Sequence, residues 1–339
     1  MLDLISTFVI AEIGVNHNGS IKLAKEMISS AKKAGANAVK FQTFTAEALV
    51  SRGTPKVNYQ KQTTDEAESH FDMIKKLELS HEDHYPIIEY CRAQEIEFIS
   101  TPYDVDSARF LDSIGVKTFK TASADIVDLP LHQFLAGTGK TVIISTGMAS
   151  MNEIGDALDF YKAAGNSNVI LLHCVSNYPC EFASLNLKVM QSLETEFGFP
   201  VGYSDHARGA YPAVAAVAMG AKVIEKHFTL DKNLKGPDHK ASSTPEEFKE
   251  LVDGIRICES SLGSPVKSVQ DEEKQMRLVS RKSIFLSKDV TQGSRVKLED
   301  LTLKRPGTGL YARSFPLLEG KVAKTDLKAD HMMSMDDVE

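Results

Sequence analysis

The chain has 339 residues, of which 42% are hydrophobic and 25% are charged, and 46 acidic against 39 basic residues give a net charge of −7. This length fits about two domains, or one α/β barrel with a small remainder. The acidic balance argues against nucleic-acid binding, although a local lysine cluster can still hold an anionic small molecule.

Signals for membrane insertion, secretion and disulfide formation are weak. No apolar run approaches the roughly 18–20 residues of a membrane span, and the first residues lack the basic region of a signal peptide. Four cysteines without a C-x-x-C pair are too few for a disulfide framework. We therefore expect a soluble, cytoplasmic protein that binds neither membrane nor nucleic acid. Cys180 follows a Tyr-Pro turn that can leave its thiol accessible, and its role stays open.

Short β-rich runs alternate with segments of helical period along the first 265 residues. In the first helical segment, residues 21–34, apolar residues recur at spacings of three and four, Ser20 can cap the start and Gly35 the end. Further helices are predicted near residues 66–77, 80–94, 151–164 and 210–219. Residues 51–68 are polar, contain Gly53 and Pro55, and predict an extended loop.

The strand candidates number eight, and each is followed by a helix candidate. They are residues 8–14, 38–43, 97–103, 118–123, 141–147, 169–176, 200–206 and 222–229. Alternating strands and helices indicate a parallel sheet. Eight such units in about 260 residues favour a closed (β/α)8 TIM barrel, and the nearly continuous apolar strands fit burial on both faces.

The pattern changes near residue 265. Residues 266–282 are strongly charged and predict a linker, and the tail contains short strand-like pieces at 283–286 and 295–298. Because so short a tail buries little surface by itself, we expect it to lean on the barrel or on a partner subunit. The predicted organisation is a catalytic barrel over 1–265, a linker over 266–282 and a small domain over 283–339.

Polar residues lie toward the ends of nearly all strand candidates. They include Glu12, Lys40, Gln42, Ser100, Thr101, Lys120, Thr121, Ser123, Ser145, Thr146, His173, Ser176, Ser204, Asp205, His206, Glu225, Lys226 and His227. In a TIM barrel these ends form the catalytic face, and burying an unpaired charge is costly. Any single member is more often a structural ion pair or a helix cap, but the convergence of all eight strands is better explained by a site.

Three features of this set have chemical content. Lys40 and Lys120, with the neighbouring hydroxyls, suit a phosphate together with a carboxylate. His206 and His227 end adjacent strands and can share a weakly held divalent metal, or can simply be structural histidines. The loop 236–240, GPDHK, either aims the Asp238 carboxylate into the barrel mouth or is an ordinary turn.

Ten stretches, in order along almost the whole chain, resemble the sialic acid synthase family. They are IAEIGVNHNGS (10–20), VKFQT (39–43), FISTPYD (98–104), FKTAS (119–123), ISTGM (144–148), LLHCVSNYP (171–179), GYSDH (202–206), EKHFTLD (225–231), GPDHKAS (236–242) and KRPGTG (304–309). The resemblance implies a TIM barrel followed by a small antifreeze-like domain of the SAF, β-clip type. It also implies a domain-swapped homodimer in which that domain covers the partner's barrel mouth.

The resemblance further implies a transferase. Such an enzyme condenses phosphoenolpyruvate with an N-acetylmannosamine-type sugar by C–O cleavage, giving a nine-carbon 2-keto acid, N-acetylneuraminate, and phosphate. A legionaminate or pseudaminate synthase acting on a diacetamido trideoxyhexose is the alternative, and the loop 59–79 is similar to that of legionaminate synthases. A 3-deoxy-octulosonate-phosphate-type synthase is more distant. An ice-binding role for the C-terminal domain is disfavoured by its many charged residues.

Carried over motif by motif, the resemblance assigns roles to individual residues. Glu12 would be the acid/base carboxylate, and His206 and His227 would bind Mn²⁺ or Mg²⁺. The residues expected to hold phosphoenolpyruvate are Lys40, Thr101, Lys120, Ser123, Ser145 and Ser204. Those expected to face the sugar are Gln42, Tyr178, Asp238 and, reaching across from the other subunit, Arg305.

Three departures from many relatives fall on the expected sugar side. This chain reads Gln62-Thr63-Thr64 where many relatives have an Asn, Cys180-Glu181 after the Tyr-Pro pair, and Ser176 where some have another Asn. The phosphoenolpyruvate and metal residues are unaffected. The sugar therefore stays open between N-acetylmannosamine and a diacetamido trideoxyhexose, as does the choice of metal.

Overall fold

The chain divides into two compact units, Met1–Gly263 and Ser264–Glu339. The computed structural model describes residues 4–56, 64 and 67–339. In the segment predicted as a linker, residues 266–282, it contains a helix at Glu273–Ser280. Within the described residues no helix is long and apolar enough to cross a membrane.

The first unit is a closed barrel of parallel strands in chain order, as predicted. Among the described residues its strands are β1 (Phe8–Gly14), β2 (Ala38–Thr43), β3 (Glu97–Pro102), β4 (Thr118–Thr121), β5 (Thr141–Ser145), β6 (Val169–Cys174), β7 (Val201–Asp205) and β8 (Val223–His227). Pairing of β1 with β8 closes the ring. The structure ends β4 two residues before the predicted end, and Ser123 opens a 3-10 turn instead.

Helices surround the barrel. In the described part of this unit they are α1 (Ile21–Lys33), α2 (Ala46–Leu49), α3 (His70–Lys75), α4 (His81–Ala93), α5 (Val105–Ser113), α6 (Leu129–Gly137), α7 (Met151–Ala163), α8 (Val189–Phe197), α9 (Tyr211–Ala218) and α10 (Pro245–Leu262). Ser20 caps α1 by accepting from the Leu23 amide, as expected. Sequence patterning missed α2, and α3 is shorter than the helix predicted near 66–77.

The barrel interior changes character along its axis. At the N-terminal end of the strands, side chains such as Ile10, Ile99 and Ile143 form an apolar cluster that is separate from the layer between strands and helices. Because inward positions recur every second residue, the next inward residues toward the C-terminal end are Glu12, Thr101 and Ser145. The apolar cluster therefore forms a base beneath a polar layer at the catalytic end.

Gly202 in β7 permits the close packing of this interior. A Cβ atom at this position would lie 2.3 Å from the Val223 carbonyl oxygen and 2.6 Å from the Leu172 side chain. Both distances are far below van der Waals contact, so any larger residue would push β8 away from β7. The spacing of these two strands matters because the predicted metal ligand His206 directly follows β7 and the predicted ligand His227 ends β8.

The second unit is built around a small antiparallel pair, β9 (Ser283–Leu286) and β10 (Leu301–Lys304). Its helices among the described residues are α11 (Glu273–Ser280) and α12 (Phe315–Leu318). Ile284, Leu286 and Val296 belong to its own apolar core. The strand predicted at 295–298 is wrong: Arg295 makes a single bridge, and a 3-10 turn at Leu298–Asp300 precedes β10.

Candidate active site

A cavity of about 820 Å³ opens at the C-terminal ends of the barrel strands. Its lining includes eleven of the predicted site residues, namely Glu12, Lys40, Gln42, Lys120, Ser123, Ser145, Tyr178, Ser204, His206, His227 and Asp238. Thr101 lies just behind this surface, where it accepts a hydrogen bond of 3.0 Å from the Lys40 ammonium. Arg305 belongs to the second unit and is exposed there; its reach into a partner's mouth stays a prediction.

Two carboxylates and two ammonium groups form the bottom of the cavity, and we call Glu12, Lys40, Lys120 and Glu225 the charged floor. Lys40 Nζ lies 2.8 Å from Glu12 and 3.8 Å from Glu225, and Lys120 Nζ lies 3.9 Å from Glu225. All four are at least 95% buried. Buried charges persist where they pair with each other and are held by hydrogen bonds. The floor is therefore a preorganised set of charges at the catalytic end of the barrel.

The two floor carboxylates have opposite pKa shifts. Burial raises the pKa of Glu12, and Glu225 adds to the rise, so that the opposing effect of Lys40 does not restore the ordinary value. Burial also acts to raise the pKa of Glu225, but the positive charges of Lys120 and Lys40 outweigh it and leave the pKa lowered. A pair whose environments separate their pKa values is a candidate for divided roles. Glu12 is placed to exchange a proton near neutral pH, and Glu225 remains ionised.

Lys120 lies on the side of the cavity that β4 and β5 form. Its ammonium donates to Ser145 Oγ at 2.5 Å and to the Thr121 carbonyl at 2.7 Å. Burial lowers the pKa of Lys120, and its carboxylate neighbour at 3.9 Å is too distant to compensate fully. A dianionic ligand beside this ammonium would supply the missing negative charge.

Gly147 completes the same side by bringing backbone close to several polar atoms. Its amide donates to Ser123 Oγ at 3.1 Å. A Cβ atom there would lie 2.4 Å from Ser176 Oγ and 2.8 Å from both Cys174 Sγ and Ser123 Oγ. The absence of a side chain thus lets the backbone pack directly against two hydroxyls and a thiol, and the Gly147 amide helps to fix the Ser123 hydroxyl at the cavity.

The two predicted metal ligands face each other across the ends of β7 and β8. The rings of His206 and His227 are 5.6 Å apart, and the His206 Nδ1 group lies 2.9 Å from the Val175 carbonyl. That contact assigns the proton to Nδ1 and leaves Nε2 as a lone-pair donor. His227 Nδ1 is buried without a hydrogen-bond partner. Burial lowers the pKa of both rings, which keeps them neutral.

These features fit a divalent cation held by two imidazoles. No group of three or more His, Cys, Asp or Glu side chains with metal-ligand geometry occurs among the residues that the structure describes. The remaining ligands of such an ion would have to come from water or substrate, and an ion held in this way would bind weakly and exchange.

A second buried ion pair, between Lys226 and Asp205, adjoins these histidines. Lys226 Nζ lies 2.6 Å from Asp205 and also donates to the Ala207 carbonyl at 2.7 Å. Asp205 in turn accepts from the Ala207 amide at 2.9 Å. Because Asp205 precedes His206 and Lys226 precedes His227, the pair fastens together the two strand ends that present the rings.

The predicted sugar-facing residues surround this centre. Gln42 Nε2 donates to Glu12 at 3.2 Å, and the Tyr178 ring packs 4.2 Å from the His206 ring. Asp238 also lines the cavity, and burial raises its pKa to about 6 despite the opposing charge of Lys40. All three groups border the space above the charged floor.

Only some of the residues at which this sequence departs from many relatives lie at the cavity. Ser176 lines it. Cys180 is 5% exposed and packs in the barrel core, and burial raises the pKa of its thiol, so the expectation of an accessible thiol is wrong. Gln62 and Thr63 lie outside the described residues.

Two parts of the site were not assigned from the sequence. Glu225 was noted as a polar strand residue without a role, although its alternation with His227 signals a common inward face. An apolar side of the cavity was missed altogether. We call it the apolar wall; its residues are Val15, Leu49, Val50, Ile74, Leu77 and Tyr103.

Comparison with known proteins gives the family. Residues 27–267 match the model of the NeuB family, and residues 281–339 match that of the SAF domain. The chain is 46% identical to the N,N′-diacetyllegionaminic acid synthase of Legionella pneumophila, over 98% of this chain and 94% of that protein. It is 43% identical to the Campylobacter jejuni enzyme of the same name, over 96% and 98%.

A solved structure agrees with this relationship. The N-acetylneuraminic acid (sialic acid) synthetase of Leptospira borgpetersenii, in complex with citrate, superposes with a TM-score of 0.72 at 36% identity and covers 80% of this chain and 90% of its own. The closed barrel, the charged floor and the sequence matches lead to one conclusion: the chain belongs to the NeuB family and carries a C-terminal SAF domain.

Proposed function

We propose that the protein is a nonulosonic acid synthase. It condenses phosphoenolpyruvate with an N-acylated amino sugar by C–O cleavage, and releases phosphate and a nine-carbon 2-keto acid. The observation that carries this proposal is the charged floor, in which two buried ammonium groups and a carboxylate of raised pKa lie beside a pair of neutral imidazoles. Phosphoenolpyruvate is a small trianion, and the floor offers cations for both its phosphate and its carboxylate.

The bound substrate would be divided between two parts of the cavity. Lys120, Ser145 and Ser123 would receive the phosphate, while Lys40 would receive the carboxylate. Thr101 and Ser204 hold Lys40 and Glu225 in place by hydrogen bonds of 3.0 Å. This arrangement fixes the C2–C3 double bond above the floor, which supplies orientation before any bond changes.

The reaction then forms one carbon–carbon bond, adds one water molecule and breaks the C2–O bond to phosphate. The C3 atom of phosphoenolpyruvate attacks the aldehyde carbon of the open-chain sugar, and positive character develops at C2. Water adds at C2 and gives one proton to Glu12, whose raised pKa suits transfer near neutral pH. That proton passes on to the former aldehyde oxygen, which becomes a hydroxyl group. The C2–O bond to phosphate then breaks, and the C2 hydroxyl gives its proton to the departing phosphate as the 2-keto group forms. Lys40 and Lys120 stabilise the negative charge throughout.

We further propose that a divalent cation, Mn²⁺ or Mg²⁺, binds between His206 and His227. When bound there, it supplies Lewis-acid polarisation of a carbonyl oxygen. Neutral rings with one fixed tautomer support this assignment. The domain-swapped homodimer, the approach of Arg305 to the partner's sugar and the cytoplasmic location are part of the same proposal and follow from the resemblance.

For the acceptor, we propose a 2,4-diacetamido trideoxyhexose. The names of the Legionella and Campylobacter relatives, at 46% and 43% identity, describe a product with two acetyl groups. Phosphoenolpyruvate contributes three of the nine carbons, so both acetamido groups come from the six-carbon acceptor. N-Acetylmannosamine is the second candidate, because the Leptospira relative is an N-acetylneuraminic acid synthetase.

A direct assay tests the proposal. The full-length protein is incubated with phosphoenolpyruvate, Mn²⁺ and each sugar of a panel, and phosphate release and product mass are recorded. We expect one phosphate per product molecule and a mass equal to the sugar plus the pyruvate unit. Release of pyruvate instead, or product formed solely from phosphorylated sugars, would contradict the proposal.

A further inference from the structure

The mouth of the barrel contains three chemically different sectors. Lys120, Ser123 and Ser145 form a polar sector at the C-terminal ends of β4 and β5. His206 and His227 form an imidazole sector at the C-terminal ends of β7 and β8. The apolar wall forms the third, from the loops and short helices that follow β1, β2 and β3. A ligand that fills the cavity must therefore place apolar atoms on one side.

The apolar wall has its own hydrophobic support. Val15 and Leu77 are 5% and 7% exposed and form a small core with Phe44 and Met73, separate from the main core. Leu49 and Ile74 are partly buried against that core, so their remaining surface faces the cavity that they line. Tyr103 packs edge-on against Phe44 at 5.9 Å. Five of the six wall residues are therefore supported by hydrophobic packing behind the cavity surface.

One polar group interrupts the wall. His70, the first residue of α3, lines the cavity beside Ile74. Its Nδ1 atom is buried and has no hydrogen-bond partner in the described part of the chain. Burial and the charge of Lys56 lower the pKa of His70, so the ring is neutral at physiological pH and can both donate and accept. The ring is half-buried and lines the cavity, so its exposed edge can form a hydrogen bond with an amide of a ligand.

The chemistry of the other sectors orients the acceptor. Its aldehyde carbon must lie near the imidazole sector and the C3 atom of phosphoenolpyruvate. The far end of the sugar, C4 to C6, then extends toward the remaining sector, which is the apolar wall. Hydroxyl groups at C4 and C6 would lose water there without gaining partners. A methyl group at C6 and an acetamido group at C4 would bury carbon against carbon.

We propose that the apolar wall and His70 are the acceptor-selecting surface of this enzyme. The wall takes up the 6-deoxy methyl group and the acetamido methyl group, and His70 hydrogen-bonds the C4 amide. This inference rests on the proposed synthase function and adds to it the residues that choose the sugar. Selection of this kind amounts to about 10- to 100-fold in kcat/KM, because an apolar pocket rejects an added hydroxyl only moderately.

The test compares kcat/KM for two acceptors, the 2,4-diacetamido trideoxyhexose and N-acetylmannosamine. It is done in the wild type, Ile74→Gln and His70→Leu. We expect the wild type to prefer the diacetamido sugar by about 10-fold or more. Ile74→Gln and His70→Leu should each lower kcat/KM for the diacetamido sugar much more than kcat/KM for N-acetylmannosamine, and so lose most of that preference, while KM for phosphoenolpyruvate stays within about threefold. Ile257→Gln, at an exposed helical position, is the matched control and should change neither.

Four outcomes would count against the inference. An equal fall for both sugars in the variants would show a general structural role for the wall and overturn the inference. So would an unchanged ratio, or a wild-type preference for N-acetylmannosamine. If the wild type turns over neither sugar, the proposed function itself fails and this inference falls with it. Thermal unfolding of each variant separates loss of fold from loss of selectivity.

Discussion

The charged floor and the apolar wall border the same cavity but are built in different ways. The floor side chains project from β1, β2, β4 and β8, so their positions follow from strand register, for example Glu12 beside Lys40 and His227. The wall side chains come from two helices of four and six residues and from loops. In the proposed mechanism, rigid strands hold the groups that take part in bond making and breaking, and shorter elements hold the groups that contact the variable part of the acceptor.

This difference predicts that changes in the floor alter chemistry for every acceptor, whereas changes in the wall alter the choice among acceptors. The following changes test whether the floor and the wall have these separate roles.

The largest effect is expected for Glu12→Gln. The amide keeps the shape of the side chain but cannot take a proton, so turnover should fall by about 10³-fold with every acceptor. Binding of phosphoenolpyruvate, measured by calorimetry, should persist. Asp159→Asn, an exposed carboxylate of α7, serves as control. Activity within threefold of the wild type would remove Glu12 from the mechanism.

Removal of the metal is expected to cause the second-largest loss of activity. Chelation is expected to reduce turnover of every acceptor to a few per cent or less, and addition of Mn²⁺ or Mg²⁺ should restore it, because two imidazoles alone hold the ion weakly. Phosphoenolpyruvate should still bind, since Lys40 and Lys120 remain. Full activity after exhaustive chelation would argue against the role of His206 and His227.

Lys120→Met should weaken phosphoenolpyruvate binding by roughly 10- to 100-fold, the loss expected for charge-assisted hydrogen bonds. The ratio of kcat/KM values between acceptors should stay constant, because this residue does not face the wall. Lys117→Met, an exposed lysine just before β4, is the matched control. A change in acceptor ratio without a change in phosphoenolpyruvate affinity would break the proposed division between floor and wall.

The smallest expected effect is a shift in the pH dependence of kcat/KM. Since burial raises the pKa of Glu12 and the ionised form accepts the proton, kcat/KM should fall on the acid side with a midpoint above the ordinary glutamate value of 4.5. Lys40 lowers that pKa, so residual activity of Lys40→Met should show a midpoint at still higher pH. Ile74→Gln should leave the midpoint unchanged. An acid limb at or below pH 4.5 would contradict the raised pKa.

More of the charged floor than of the apolar wall could be predicted from the sequence, and the reason is physical. Period-two alternation in a buried strand places Ile10 and Glu12 on one face, and a charge at such a position requires a partner or a use. The same rule should have assigned Glu225, but Glu225, Lys226 and His227 are three consecutive polar residues. Only the register shows that Lys226 points outward to Asp205.

The wall could not be predicted because its elements are too short to show a period. Leu49 ends a four-residue helix, and His70 and Ile74 belong to one of six residues. Both helices adjoin the polar stretch 51–68, which has the composition of a loop. Their apolar residues become a surface only when tertiary packing places them over Phe44 and Met73.

The central claim, that the floor promotes condensation with cleavage of the C–O bond, is tested most directly by isotope transfer. Phosphoenolpyruvate labelled with ¹⁸O at the oxygen between C2 and phosphorus is incubated with the protein, Mn²⁺ and the diacetamido sugar. We predict that the label appears in inorganic phosphate and that the nine-carbon 2-keto acid carries none of it. Label retained in the organic product, which signifies cleavage of the P–O bond, would contradict the mechanism proposed for Glu12 and the charged floor.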